Sequence, residues 1–164
     1  GVTIISTDVP VKQSFFAQVK SCDYLNNVMI KKAAKEAEAD YAVTWDENGF
    51  LAEGSTENIF LVSPEKELLV PTFDRILKGI TMTRVMELAQ NLVDEGLLSG
   101  VYNRKIDLAA VEDAAEVMLC GTSIEVVPVQ PGCRLRPSRP RGPASFGGIA
   151  PRPAIQPGPA HANV

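Results

Sequence analysis

Four short segments hold the residues able to do chemistry, and none of them contains a histidine. In Val19-Lys20-Ser21-Cys22-Asp23-Tyr24-Leu25-Asn26-Asn27, Lys20 lies between an extended stretch with Phe15 and Phe16 and the start of a helix. A lysine held there among apolar groups would be an activated amine, able to add to a carbonyl carbon. The alternative is a solvated surface lysine. In Ala52-Glu53-Gly54-Ser55-Thr56-Glu57-Asn58-Ile59-Phe60, Glu53 ends a strand. A carboxylate there can hold a protonated ring nitrogen through a charge-assisted hydrogen bond, or simply face water in a turn. Lys78-Gly79-Ile80-Thr81 opens a long helix, whose free N–H groups and positive dipole end suit a phosphate. The alternative there is an ordinary helix start. Cys120-Gly121-Thr122-Ser123 interrupts two strands. It offers N–H and hydroxyl donors to an anion, or else forms a β-bulge.

These segments need a scaffold, and the pattern around them alternates strand and helix. Val2 to Ile5 is β-branched and reads as a strand ending near Pro10. Asp23 to Ala39 reads as a helix with Asp23 as N-cap and Leu25, Val28, Met29 and Ala33 at helical spacing. Tyr41 to Trp45 and Phe50 to Glu53 read as a hairpin about Glu47-Asn48-Gly49, with Gly49 free to take positive φ. Ile59 to Val62 and Leu68 to Val70 form a second hairpin around Ser63-Pro64-Glu65-Lys66. Thr81 to Glu95 is the clearest helix, with a stripe of Val85, Leu88, Ala89 and Leu92 and Gly96 beyond its end. A short helix over 107–114 with Asp107 as N-cap follows, then strands over 116–120 and 124–127.

Charge divides the 164-residue chain in two. Residues 1–129 carry all 20 acidic residues against 11 of the 16 Lys and Arg, a net charge of −9. Residues 130–164 carry five Arg, eight Pro and five Gly and no acid, a composition that predicts a disordered tail. An acidic body argues against a nucleic-acid partner, and no apolar run approaches the roughly 18 residues of a membrane span. Cys22, Cys120 and Cys133 are few and widely spaced, as in an intracellular protein with reduced thiols, and no metal-ligand spacing occurs. The single histidine, His161, lies in the tail, so a Ser-His-Asp triad or a zinc site is not expected in the body. Gly1 stands where a Met would open a chain, which leaves room for an upstream segment.

Together the four segments supply an amine, an acid, a phosphate cradle and a second anion loop. Pyridoxal 5′-phosphate requires such a set: an amine for its aldehyde, an anion for its ring nitrogen and donors for its phosphate. The blocks also resemble, in family order, those of the class IV aminotransferases, the fold-type IV pyridoxal-phosphate enzymes. These are a Lys before an Asn-Tyr-Leu-like run, an Ala-Glu-Gly-Ser-x-x-Asn block, a Pro-Gly-Ile-Thr block and a Gly-Thr-x-x-Glu block ending in Pro-Val. That family includes branched-chain and D-amino-acid aminotransferases and 4-amino-4-deoxychorismate lyase. The resemblance covers residues 1–129, about four fifths of the chain.

It implies an α/β fold, mixed α+β: the large C-terminal domain of the D-amino-acid aminotransferase-like enzymes, without the family's N-terminal small domain. It implies amino-group transfer between a branched-chain or D-amino acid and a 2-oxo acid. The alternatives are the lyase reaction and an inactive fragment that keeps the scaffold. Carried over by residue, Lys20 would form the internal aldimine and move the proton at the substrate α-carbon. Tyr24 would lie near the phenolic oxygen of the cofactor, Glu53 at its ring nitrogen, and Asn58 behind the ring. Ile80 and Thr81 would hold the phosphate, and Thr122 and Ser123 the phosphate or the substrate carboxylate. Lys78, Val70 and Met82 stand where the family usually has Pro, Thr and Arg or Lys. The resemblance further implies a homodimer, and a cytoplasmic or plastid location.

Overall fold

The computed structural model describes residues 1–133 and residue 135. Eight strands and four helices follow one another. They are β1 (Ile4–Ser6), α1 (Ser14–Ala17), α2 (Leu25–Glu36), β2 (Tyr41–Trp45), β3 (Leu51–Gly54), β4 (Asn58–Val62), β5 (Glu67–Val70), α3 (Ile80–Asp94), β6 (Gly100–Asn103), α4 (Leu108–Glu112), β7 (Glu116–Gly121) and β8 (Glu125–Pro128). The expected mixed α/β architecture is the one observed.

The strands form a curled mixed sheet in the order β1-β2-β3-β4-β5-β6, with β7 and β8 branching from β4. Among the described strands the β1–β2 and β5–β6 pairs are parallel, and an isolated parallel bridge joins Val2 and Val129. β4 is the fork of the sheet. One edge pairs with β7 along its whole length, Asn58↔Cys120 to Val62↔Glu116. The other edge is shared: Asn58 pairs with Glu53 of β3, while Leu61 and Val62 pair with Leu69 and Leu68 of β5. The strand is therefore enclosed on both sides, and Ile59, Phe60 and Leu61 are almost wholly buried. That accounts for a continuous apolar run in place of strict alternation.

Three apolar clusters sit around this sheet. Ile4, Val43, Ile59, Leu61, Ile106 and Leu119 anchor the main one on one face. α3 closes a second with Met82 and Ala89 against Phe60, Leu68, Val70 and Cys120. α2 packs Ile30 and Ala34 on Ala42 of β2.

Several sequence expectations need correction. The buried face of α2 is Ile30 and Ala34, spaced four apart, while Leu25, Val28 and Met29 point outward. Its N-cap is Tyr24 with no side-chain cap bond, in place of Asp23. On α3 the core contacts are Met82 and Ala89, with Val85 partly buried against them as expected, whereas Leu88 and Leu92 lie toward solvent. β6 and α1 were not anticipated, since each has only four residues and neither has a clear period. The interruption at 121–123 is a hairpin turn rather than a bulge, closing on Gly121↔Glu125 with Glu125 at φ 57°. The expected features at Gly49 (φ 82°), Gly96 (φ 73°) and Asp107, whose Oδ1 accepts from Ala110 N–H at 2.9 Å, are all present.

The tail boundary also moves. Gln130 N–H donates to Val2 O at 2.8 Å and its side chain to Gly1 O at 2.9 Å. Cys133 Sγ accepts from Ile4 N–H at 3.5 Å, and Leu135 is buried in the main cluster. The expectation of a structureless tail from 130 therefore fails for these residues; residue 134 and residues 136–164 lie outside the described part. No helix among the described residues is long and apolar enough to cross a membrane.

Candidate active site

The fork in the sheet creates the site. Where β3 and β5 separate from the shared edge of β4, the chain from 71 to 79 returns toward the gap and leads into α3. Glu53 and Asn58, opposite one another at the fork, hold it there. Glu53 Oε2 accepts from Leu77 N–H at 3.0 Å and Asn58 Nδ2 donates to Leu77 O at 2.8 Å. Gly79, the N-cap of α3, then lies so near Asn58 that a Cβ would collide with Asn58 Oδ1. Glycine is required here for close approach rather than for unusual dihedrals, since its φ is −65°.

The result is a cavity of about 290 Å³, near the lower end for small-molecule sites. Lys20, Tyr24, Glu53, Asn58, Ile80, Thr81 and Thr122 all line it. Four segments distant in sequence are thus brought together. Ser123 is outside the wall, in the exposed turn between β7 and β8. Of the two readings of Lys20 the solvated one is observed: Phe15 is 72% exposed and Phe16 57%, and Lys20 itself is exposed at the cavity wall. Met82 on α3 and Val70 on β5, two of the departures from the family pattern, are core residues of the same apolar cluster.

Burial pushes the Glu53 carboxyl up to about 7, against the opposing pull of Leu77 N–H and of the Lys12 charge. Such a group can be an anion or an acid near neutrality. The neighbouring Glu57 is more fully buried, and its own turn satisfies it. Its Oε2 accepts from Ser55 Oγ–H at 3.1 Å and Thr56 N–H at 3.0 Å, and Thr56 Oγ1 bonds its other oxygen. A Cβ on Gly54 would sit 2.7 Å from Glu57 Oε2, so this turn also relies on a glycine.

Sequence reasoning did not single out Glu57, Asn27 or Lys12, although all three line the cavity. Asn27 Nδ2 donates to Ser55 O and ties α2 to the Glu53–Asn58 turn. Its Oδ1 is buried without a partner. An unpaired buried acceptor is uncommon and marks a place for a ligand or water donor. Its position on the wall, with an amine, a buried acid and the start of a 15-residue helix, fits a ring-bearing phosphorylated cofactor of the pyridoxal type. No group of three or more His, Cys, Asp or Glu among the described residues is placed to hold a metal ion.

Comparison with known proteins follows the same lines. The family model Amino-transferase class IV matches residues 1–131. The chain is 40% identical over 131 residues to D-amino-acid transaminase, chloroplastic, of Arabidopsis thaliana, covering 79% of this chain and 35% of that protein. Among solved structures it is similar to the branched-chain amino acid aminotransferase from Thermobaculum terrenum in its PLP form. There the TM-score is 0.68 at 26% identity, covering 78% of this chain and 41% of that one. A putative 4-amino-4-deoxychorismate lyase from Legionella pneumophila shares the fold, at TM-score 0.69 and 22% identity over 85% of this chain and 51% of that one. The chain thus spans well under half the length of the first two.

Proposed function

The chain belongs to the class IV aminotransferase family, and from that premise we propose that it is the cofactor-bearing part of a pyridoxal-phosphate-dependent aminotransferase. It would move an amino group between an amino acid and a 2-oxo acid. One observation carries this reading: Lys20, Glu53 and the Gly79–Thr81 helix start converge on a single cavity without a histidine.

When bound, the cofactor supplies an electron sink for charge that develops at the amino acid α-carbon. The chain's own residues do the rest. The Lys20 amine holds the cofactor and carries the proton at that carbon. Glu53, half-buried and fixed by Leu77 N–H, would orient the ring through its nitrogen. Asn58 acts one step back by fixing Leu77, so that Ile80 N–H and the Thr81 hydroxyl meet the phosphate at the positive end of α3. Tyr24 would sit at the ring oxygen and Thr122 at the substrate carboxylate, while Ser123 lies outside the wall. The amino acid is branched-chain or of D configuration, the two substrate classes in the names of the similar proteins. The 40% identity to a transaminase favours transfer over the lyase reaction, since the likeness to the lyase shows the fold alone. A second copy of the chain is the expected macromolecular partner, and the chloroplastic relative supports a plastid location over the cytoplasm.

The test is to add pyridoxal phosphate to the full chain, reduce with borohydride and map the labelled peptide. Label on Lys20 supports the reading. Label concentrated on Lys31, Lys32 or Lys78 overturns it. A subsequent transaminase assay separates an active enzyme from a scaffold that only binds.

A further inference from the structure

No motif singles out Lys12, yet it reaches the inner part of the cavity. It lies half-buried on the connection between β1 and α1. It lines the cavity beside Lys20, Tyr24 and Glu53, and also the narrow crevice behind it with Thr44, Glu53 and Gly54. Its ammonium stands 5.9 Å from the centroid of the Tyr24 ring, within the range where an aromatic face attracts a cation. Two residues upstream, Pro10 O accepts from Asn26 Nδ2 at 2.8 Å, which ties this connection to α2. The start of the side chain is therefore anchored, while its four-carbon stem can move.

Once ionised, Glu53 needs a counter-charge. Among the described residues its hydrogen-bond donor is Leu77 N–H, and no cation there lies within ion-pair distance of it. The charged groups that act on it are Lys12 from the β1–α1 connection, Lys20 from the segment before α2, and Glu57 from the β3–β4 turn. Of the two cations, Lys12 has the stronger influence.

We propose that Lys12 is an internal rival of the cofactor at Glu53: its ammonium serves as the counter-charge whenever the carboxyl ionises, until a cationic ring nitrogen takes over and displaces it. The proposal rests on the pyridoxal-phosphate reading of the cavity. A single carboxylate pairs well with one cation, whereas two cations beside it repel each other across a partly desolvated space. Loading must then move the Lys12 ammonium toward the Tyr24 face or solvent, which lowers affinity. Lys12 is thus a positioning residue: it favours the charged form of the acid before the ring arrives and makes room afterwards.

The experiment uses the full chain with Lys12→Met, which keeps the stem and removes the charge, and Lys12→Arg, which keeps the charge. Lys105→Met is the control, because the Lys105 ammonium lies over the Phe50 ring and does not line the cavity. The Glu53 carboxyl is followed against pH by carbon NMR without cofactor. Its midpoint should move upward in Lys12→Met and stay in place in Lys12→Arg and the control. Pyridoxal phosphate titration should then show tighter binding in Lys12→Met by about threefold or more, the scale of one screened charge contact. An unmoved Glu53 midpoint in Lys12→Met, or weaker cofactor binding in that variant, overturns the proposal. If the wild-type chain takes up no cofactor, the functional reading fails and the rivalry with it. The pairing of Lys12 with Glu53 is still decided by the NMR shift.

Discussion

Glu53 and Asn58 stand opposite each other across the β3–β4 pair, and between them they take both backbone polar groups of Leu77. One accepts from its N–H and the other donates to its C=O. A single residue outside the sheet is thereby fixed from both sides, two residues before the N-cap of α3. Whatever the start of α3 binds is placed by this grip.

The grip predicts a coupled pair. Asn58→Ala leaves Leu77 C=O without its partner and should cost about 1–3 kcal/mol. Gly79→Ala should cost a similar amount by driving Asn58 off Leu77. The double variant should cost clearly less than the two together, because the collision has no second partner once Asn58 is truncated. Urea unfolding of the three variants measures this, and strict additivity would show that Gly79 and Asn58 do not interact.

Glu53 gives the fold a pH dependence of definite sign. In the folded chain it keeps its proton up to about 7, whereas an ordinary glutamate loses it near 4.5. Between those values the folded state binds the extra proton, so stability falls as pH rises. Glu53→Gln should remove that fall, which is on the order of 2 kcal/mol and smaller where water reaches the carboxyl. Denaturant unfolding at the two ends of this window, wild type against variant, checks it. The same substitution should spare cofactor binding more than turnover.

Leu135 belongs to the core. Leu135→Ala should cost about 2–4 kcal/mol, as for other buried leucines. A chain ending at 129 should melt well below one ending at 135, since only the longer one keeps Leu135, Cys133 and the Gln130 bonds to Gly1 and Val2. Equal melting temperatures would return the boundary to 129.

Thr122 and Ser123 should part company. Thr122 lines the cavity and Ser123 does not. Thr122→Ala should weaken pyridoxal phosphate or substrate binding severalfold, and Ser123→Ala should leave both within about twofold, as expected for surface positions. A larger loss in Ser123→Ala would show that the turn between β7 and β8 folds inward over the ligand.

What the residues alone determined was local. Lys20, Glu53, the Gly79–Thr81 helix start and Thr122 were legible because each sits in a block whose chemistry or geometry is written in adjacent positions. Glycine beside a helix start and Asp107 as a cap are of the same kind, as were the strands and long helices, set by short-range periodicity. The outward face of α2 was misread for a physical reason: its stripe of Leu25, Val28 and Met29 has helical spacing, but burial depends on which side meets Ala42. β6 escaped because a strand of four residues acquires its identity from a parallel neighbour, Glu67 to Val70, some 33 positions away. Lys12, Asn27 and Glu57 gained their places only where β3 and β5 part from one edge of β4. Leu135 looked like tail because composition averages over neighbours, while a single apolar side chain can still reach a core that long-range folding has put beside it.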